Sequence, residues 1–433
     1  MKKDLNYFKK LIFFHLPIFQ NTFWLYLAEI FSKIFHLILF FLIARVLGKE
    51  IFGVFNYVLA LVSFYFLFSD FGVSQLLIRD YNQKEDKKKI IEETFFFKFL
   101  ISILVALISL SGYFILKNKE YSSFLYFILI LYFFFFNLRS YFLSYFIALQ
   151  KTFLNFLSNI IESVIILFLA LIFSLFDRSS LIIGFAYLFS CFLSTYFSLI
   201  FFEREAKLKV KDLIKKIFFF LKDFKYLKDF KYYFFNGLPL VFFGLLGYVF
   251  FYTDQIMIGH FRNFLELGEY SVASKIILAS SFVGYIFSTS IFPFLSSLIN
   301  QKERYKKYFY FFLILHLILG FFISYLIFVL SPLIVYLGFG KEYLSSLPYV
   351  YSLLFILIFM IPTSFLDYVL FSFNKQWLDF FITIIPASLN FILNLFLIPF
   401  YGAYGAIFSS ILSQFLNFIL TLIFSLLAIE KKV

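Results

Sequence analysis

Glu29, Lys33 and His36 stand inside an apolar stretch, Phe23 to Gly48, that is long enough to cross a bilayer. Their spacing is i, i+4 and i+7, so on a helix they share one face. Such a stripe offers two chemistries. A carboxylate or an imidazole takes up and releases protons, and a carboxylate also holds a sodium ion. An ammonium group holds an anion. A charge at the middle of a membrane helix costs about 2.5–3.5 kcal/mol unless it is paired or faces water. Glu29 and Lys33 could neutralise each other as a structural pair, but apolar residues would serve stability at least as well. The stripe is therefore expected to line a wet cavity. His36 has a plainer alternative, a hydrogen bond to a neighbouring helix.

Other apolar segments carry the same kind of residue. Asn155, Asn159 and Glu162 repeat the i, i+4, i+7 spacing. Asp379, Thr383, Pro386 and Asn390 share a face, with a kink expected at Pro386. Arg139 follows Asn137, Asp254 lies in "TDQIMIG", and Lys275 lies in a later apolar run. Lys33, Arg139 and Lys275 suit an anionic ligand such as a phosphate or a sugar acid. Glu29, Glu162, Asp254 and His36 are candidates to carry a coupling proton or sodium ion. Asn155, Asn159, Asp379 and Asn390 add polar lining. All are expected to converge on one hydrated vestibule. Arg79 and Lys98, near the ends of apolar runs, are expected to snorkel to the interface. No P-loop, H-E-x-x-H or Gly-x-Ser-x-Gly is present, and the four histidines are scattered, so neither an enzyme nor a metal centre is expected.

The elements that must position these groups follow from composition. The chain is 63% hydrophobic over 433 residues, too apolar for a soluble protein of its size. Its mean hydropathy is +0.93. Repeated long apolar runs predict an all-α polytopic membrane protein of about twelve spans. They fall near 20–45, 51–78, 94–116, 121–149, 153–176, 180–202, 233–259, 268–299, 308–337, 343–373, 378–398 and 403–428. Lys and Arg divide 27 to 6 between alternate loops, which puts both termini in the cytoplasm. The net charge of +13 is explained by that bias, so no nucleic-acid partner is expected. Cys191 is alone, which excludes an intrachain disulfide.

The longest loop divides the chain into a six-helix lobe (1–202), a basic linker (203–232) and a second six-helix lobe (233–433). In the linker, Val210, Leu213, Ile214, Ile217, Leu221 and Phe224 recur at helical spacing between lysines. This predicts an amphipathic helix; it is either a topological linker or a surface for anionic membrane lipids or a partner. "KEIFGVFNYVLA" (49–60) aligns with "FLELGEYSVASK" (264–275), pairing Gly53 with Gly268. "QKTFLNFLSNIIESV" (150–164) aligns with "NKQWLDFFITIIPAS" (374–388). Six spans per half is even, so the halves are read as parallel repeats around a central cavity.

Four further stretches carry a family likeness. "IARVLGKEIFGVF" (43–55) with "SDFGVSQLLIRD" (69–80) resembles the first two spans of the polysaccharide and O-antigen flippases, members of the multidrug/oligosaccharidyl-lipid/polysaccharide exporter superfamily. "TDQIMIGHF" and "LGEYSVASKI" (253–276), "IFPFLSSL" (291–298) and "NLFLIPFYGAYGAIFSSILSQ" (394–414) resemble parts of that family's second half. By position, Arg45, Gly48, Gly53, Asp70, Gly72, Asp254, Gly268, Pro293, Gly402 and Gly405 match its pattern, the glycines for close packing and tight turns. The resemblance implies a two-lobed, MATE-like fold in the plasma membrane of a prokaryote. It also implies a polyprenyl-diphosphate-linked oligosaccharide as substrate, moved from the inner to the outer leaflet by alternating access. Other polysaccharide-assembly proteins would be its partners, and no cofactor is expected beyond a coupling proton or sodium ion. The competing expectation is a proton- or sodium-coupled small-molecule exporter of the same superfamily.

Overall fold

A computed structural model describes residues 2–116, 119–220 and 227–430, with side chains omitted at some helix ends. The fold is all-α, as a lipid environment demands, because a helix satisfies its own backbone where no water can. The helices are α1 (Lys2–Asp70), α2 (Val73–Gln83), α3 (Lys87–Ser109), α4 (Lys119–Ala148), α5 (Thr152–Phe176), α6 (Ser180–Ala206) and α7 (Val210–Phe220). They continue as α8 (Leu227–Phe261), α9 (Phe264–Ser297), α10 (Lys302–Ile334), α11 (Leu347–Ser372), α12 (Gln376–Tyr401) and α13 (Ala403–Glu430).

Among the described residues, ten helical stretches are long and apolar enough to cross a membrane, and a bent pair within α8 adds an eleventh. The stretch Phe23–Gln83 is 61 residues long, about three times what a bilayer needs. Gly48, at φ 71° and ψ 171°, breaks it where a residue with a Cβ would be strained. Counting its two parts gives the twelve spans read from the sequence. Pro386 and Pro293 sit inside α12 and α9, which run on through them. Local signals set several ends. Asn263 caps α9 by accepting the Glu266 N–H at 2.8 Å, and Asp86 caps α3 through Lys89 N–H at 3.0 Å.

The chain forms two compact units: Met1–Ile43 with Leu61–Gly244, and Ala44–Ala60 with Leu245–Val433. Residues 44–60 thus group with the second unit, not with the first lobe in which sequence order would put them. In the first unit α6 packs against α4 and α5, and Tyr141, Phe142, Tyr145 and Phe202 centre an aromatic core. In the second, α11 packs against α9, α10 and α13, around Phe309, Phe365, Leu366 and Val369.

The linker divides between the end of α6, α7 and the start of α8. Val210 and Leu213 of α7 enter the first unit's core, whereas Ile214 is 37% exposed. Lys216 pairs with Glu92 at 2.7 Å. α7 is therefore seated on the protein itself along one edge. Leu221 and Phe224, and the side chain of Ile217, lie outside the described residues.

The aligned glycines Gly53 and Gly268 meet each other inside the second unit. A Cβ on Gly53 would stand 1.8 Å from Phe264 O, and one on Gly268 would stand 2.0 Å from Lys49 O. Lys49 and Phe264 are themselves partners in the alignment, so the crossing is reciprocal. Gly268→Ala should destabilise the protein by about 1–3 kcal/mol or more, because backbone rather than a flexible side chain must yield. The check is the unfolding midpoint in detergent; an unchanged midpoint would contradict the crossing.

Candidate functional site

In the second unit, Asp254 of α8 is 2% exposed, yet no basic side chain is paired with it among the described ion pairs. Its charge is met by hydrogen bonds from three helices. Tyr270 O–H (α9) donates to Oδ2 at 2.6 Å and Ser410 O–H (α13) to the same oxygen at 3.1 Å. Asn394 Nδ2 (α12) donates to Oδ1 at 2.7 Å and lies 3.1 Å from Asn390 Oδ1. Asn390 and Asn394 are fully buried, one helical turn apart. The Asn394 Oδ1 atom is buried with no hydrogen-bond partner among the described residues. A cavity of about 30 Å³ opens beside Asp254, lined also by Tyr270, Ser274, Ser410 and Gln414. That is room for one water or one bare cation.

The polar side chains that line the cavity offer hard oxygen ligands: the Asp254 carboxylate, the Ser274 and Ser410 hydroxyls and the Gln414 amide. Among the described residues no three His, Cys, Asp or Glu side chains gather as a site for a divalent ion would need. A single carboxylate with neutral oxygens fits a proton or a monovalent cation.

The first unit holds a different centre. Arg139 (α4) and Glu162 (α5) form an ion pair of 2.5 Å, with side chains 5% and 6% exposed. Arg139 Nη1 also reaches Asn159 Oδ1 at 3.2 Å and Ser194 Oγ (α6) at 3.3 Å, while its Nε has no partner among the described residues. Asn155 is buried on the same side of α5. The α5 stripe thus packs onto α4 and α6, and Arg139 and Glu162 answer each other rather than offering charge to a ligand.

The remaining candidates fall elsewhere. Glu29 and Lys33 are 3.9 Å apart with side chains 52% and 51% exposed, so this pair lies open on the first unit. His36 Nδ1 bonds Ser32 O at 2.7 Å within its own helix. Lys275 lies in the second unit, with Nζ 5.7 Å from the centre of the Tyr252 ring. The three cations are therefore distributed, Lys33 and Arg139 in one unit and Lys275 in the other. Asp379 (α12) is 7% exposed, and its buried Oδ1 has no hydrogen-bond partner among the described residues.

Lys98 corrects an expectation. It does not snorkel; it is completely buried and pairs with Asp70, which Ser74 also contacts. Gly72, at φ 70°, follows Asp70 in the turn between α1 and α2. Arg45 donates to the carbonyls of Tyr336 and Leu337, just beyond α10. Gly402, at φ 56°, joins α12 to α13, and Gly405 lies against the Leu397 backbone. Tyr270 and Ser410, which complete the Asp254 site, were not picked out in the sequence, although both lie in the stretches that carry the family likeness.

Comparison with known proteins agrees with this architecture. The structure of a lipid II flippase, MurJ, in an inward closed conformation aligns with a TM-score of 0.71 at 18% identity, over 92% of this chain and 86% of that one. An inward-facing multidrug resistance MATE family transporter of the MOP superfamily aligns at 0.68 and 12% identity, over 93% and 96%. A eukaryotic MATE transporter, AtDTX14, aligns at 0.52 and 13% identity, over 95% and 96%. No curated protein matches. The twelve-span helical architecture is thus that of the multi-pass MATE-like transporters and flippases. Residues 18–299 match the family model described as "Polysaccharide biosynthesis protein", and the chain belongs to that family.

Proposed function

We propose that the chain is a flippase that carries a polyprenyl-diphosphate-linked oligosaccharide from the cytoplasmic to the outer leaflet of a prokaryotic plasma membrane. It works by alternating access, without catalysing a reaction, and both termini are cytoplasmic. The observation that carries the reading is that a member of a polysaccharide-biosynthesis family has the fold of a protein solved as a lipid II flippase. The physics supports it. A sugar-diphosphate head cannot cross hydrocarbon unaided, whereas its polyprenyl tail never leaves it. An outward-moving head is also favoured by an inside-negative potential, by about 2.3 kcal/mol per charge per 100 mV.

Of the three cations, Lys33 is the one open enough to meet a diphosphate, and Glu29 beside it keeps the empty face from carrying a bare charge. Lys33→Ala should raise the substrate concentration needed for half-maximal flipping at least about tenfold, as loss of one charge-assisted hydrogen bond does. Lys33→Arg should restore most of it. The test is reconstitution in liposomes with a labelled lipid-linked oligosaccharide, scoring its arrival in the opposite leaflet. No transfer by the wild type would reject the reading, and full affinity in Lys33→Ala would reject that residue.

Coupling is assigned to the Asp254 site, with sodium as the ion and a proton as the alternative. Bound there, a cation would supply positive charge that exchanges across the membrane. Asp254 would hold it, with Ser274, Ser410 and Gln414, which line the same cavity, supplying neutral oxygens. On α7, Lys211, Lys215 and Lys216 are exposed while Val210 and Leu213 are buried, which supports a role in holding anionic membrane lipids. Other polysaccharide-assembly proteins are the partners such a step requires. The second reading, a cation-coupled small-molecule exporter, is favoured only by the likeness to the multidrug transporter.

A further inference from the structure

Asp254 is tied to two helices that are also tied to each other. Tyr270 of α9 and Ser410 of α13 both donate to its Oδ2. One turn before Tyr270, Glu266 accepts the backbone N–H of Ala403, the first residue of α13, at 2.6 Å. The same first turns of α9 carry Gly268, pressed against Lys49 O, and Glu269, which accepts from Lys49 Nζ at 2.8 Å. Lys49 Nζ in turn contacts Ser345 Oγ at 2.6 Å. Tyr270 is 3% exposed, and the cavity of about 30 Å³ that it lines is too small to take a displaced phenol ring, so a shift of Tyr270 is carried into its own helix. A single residue of α9, Glu269, thus separates a contact with Asp254 from a backbone crossing that holds the segment 44–60. A crossing with no room for a methyl group does not deform gradually; it is engaged or released.

We propose that Tyr270 is a positioning residue that couples the Asp254 site to the Gly53–Gly268 crossing, so that a cation at Asp254 loosens the hold on residues 44–60. The inference rests on the ion-coupled reading above. The physical step is competition for Oδ2. A cation seated on Oδ2 takes the lone pair that the Tyr270 hydroxyl now binds, and Tyr270 gives up that hydrogen bond. The displaced Tyr270 shifts the first turns of α9, where Gly268 and Glu269 have no slack to absorb it.

The test is hydrogen–deuterium exchange of the intact protein, comparing sodium chloride with choline chloride at equal ionic strength, alongside direct sodium titration. In the wild type, sodium should speed exchange of peptides covering 49–58 and 264–269 on the order of tenfold, the size of an ordinary coupling between sites. In Tyr270→Phe these peptides should exchange fast without sodium and respond little to it, while sodium still binds. A merely structural tyrosine would lower stability but leave the sodium response intact, and that result would overturn the inference. So would a wild type that binds sodium with no change in exchange, a measurement that needs no variant. A wild type that binds no sodium would overturn the assignment of sodium to the Asp254 site and this inference with it.

Discussion

Asp254→Asn is expected to abolish sodium binding and, with it, any dependence of flipping on a sodium gradient. Asparagine keeps the shape of the side chain and its oxygen can still accept from Tyr270 and Ser410, while its N–H group takes the place of Oδ1 and is met once Asn394 turns its unpartnered Oδ1 toward it. What is lost is the one formal negative charge among the residues that line the cavity of about 30 Å³. Removing even an outer partner of a metal ligand costs roughly 10–100-fold in affinity, and removing the charged ligand itself should cost more. If the coupling ion is a proton, the same variant should lose its response to a pH gradient instead. Gradient dependence that survives unchanged in both arms would take the coupling role away from Asp254. Glu162 would be a poor replacement, since its carboxylate is already committed to Arg139.

The second large effect is on folding. Arg139→Ala or Glu162→Ala should each destabilise the protein by about 3–5 kcal/mol, because each leaves one charge buried without its partner. The double replacement Arg139→Met with Glu162→Leu should recover most of that loss, since apolar residues need no compensation there. Chemical unfolding of the detergent-solubilised protein measures both. A stable Arg139→Ala with impaired flipping would return Arg139 to the role of a ligand-facing cation, as its position in an apolar run first implied.

These two centres show what was legible in the sequence. The spans were, because apolar length is a local property and lipid leaves helices few alternatives. Gly48 and Gly402 were legible for the same reason, as punctuation between runs. The partners of the charges were not. Helical spacing reveals only neighbours on the same helix, so it found Glu29 with Lys33 and could not find Arg139 with Glu162, Asp70 with Lys98, or Tyr270 with Asp254. Each of those pairs joins helices whose residues are from 16 to 28 positions apart, and no short-range pattern marks them. The alignment of Gly53 with Gly268 was visible, but not that the two would meet. That contact depends on residues 44–60 joining the second unit, which sequence order does not disclose.

The most direct test of the central claim places two substrates before the same proteoliposomes: a labelled polyprenyl-diphosphate oligosaccharide in one arm and a cationic fluorescent dye in the other, each under an imposed sodium gradient. The account predicts that the lipid-linked sugar changes leaflet, faster with the gradient than without, and that the dye stays where it was. Dye export with a motionless lipid would contradict it and identify a small-molecule exporter.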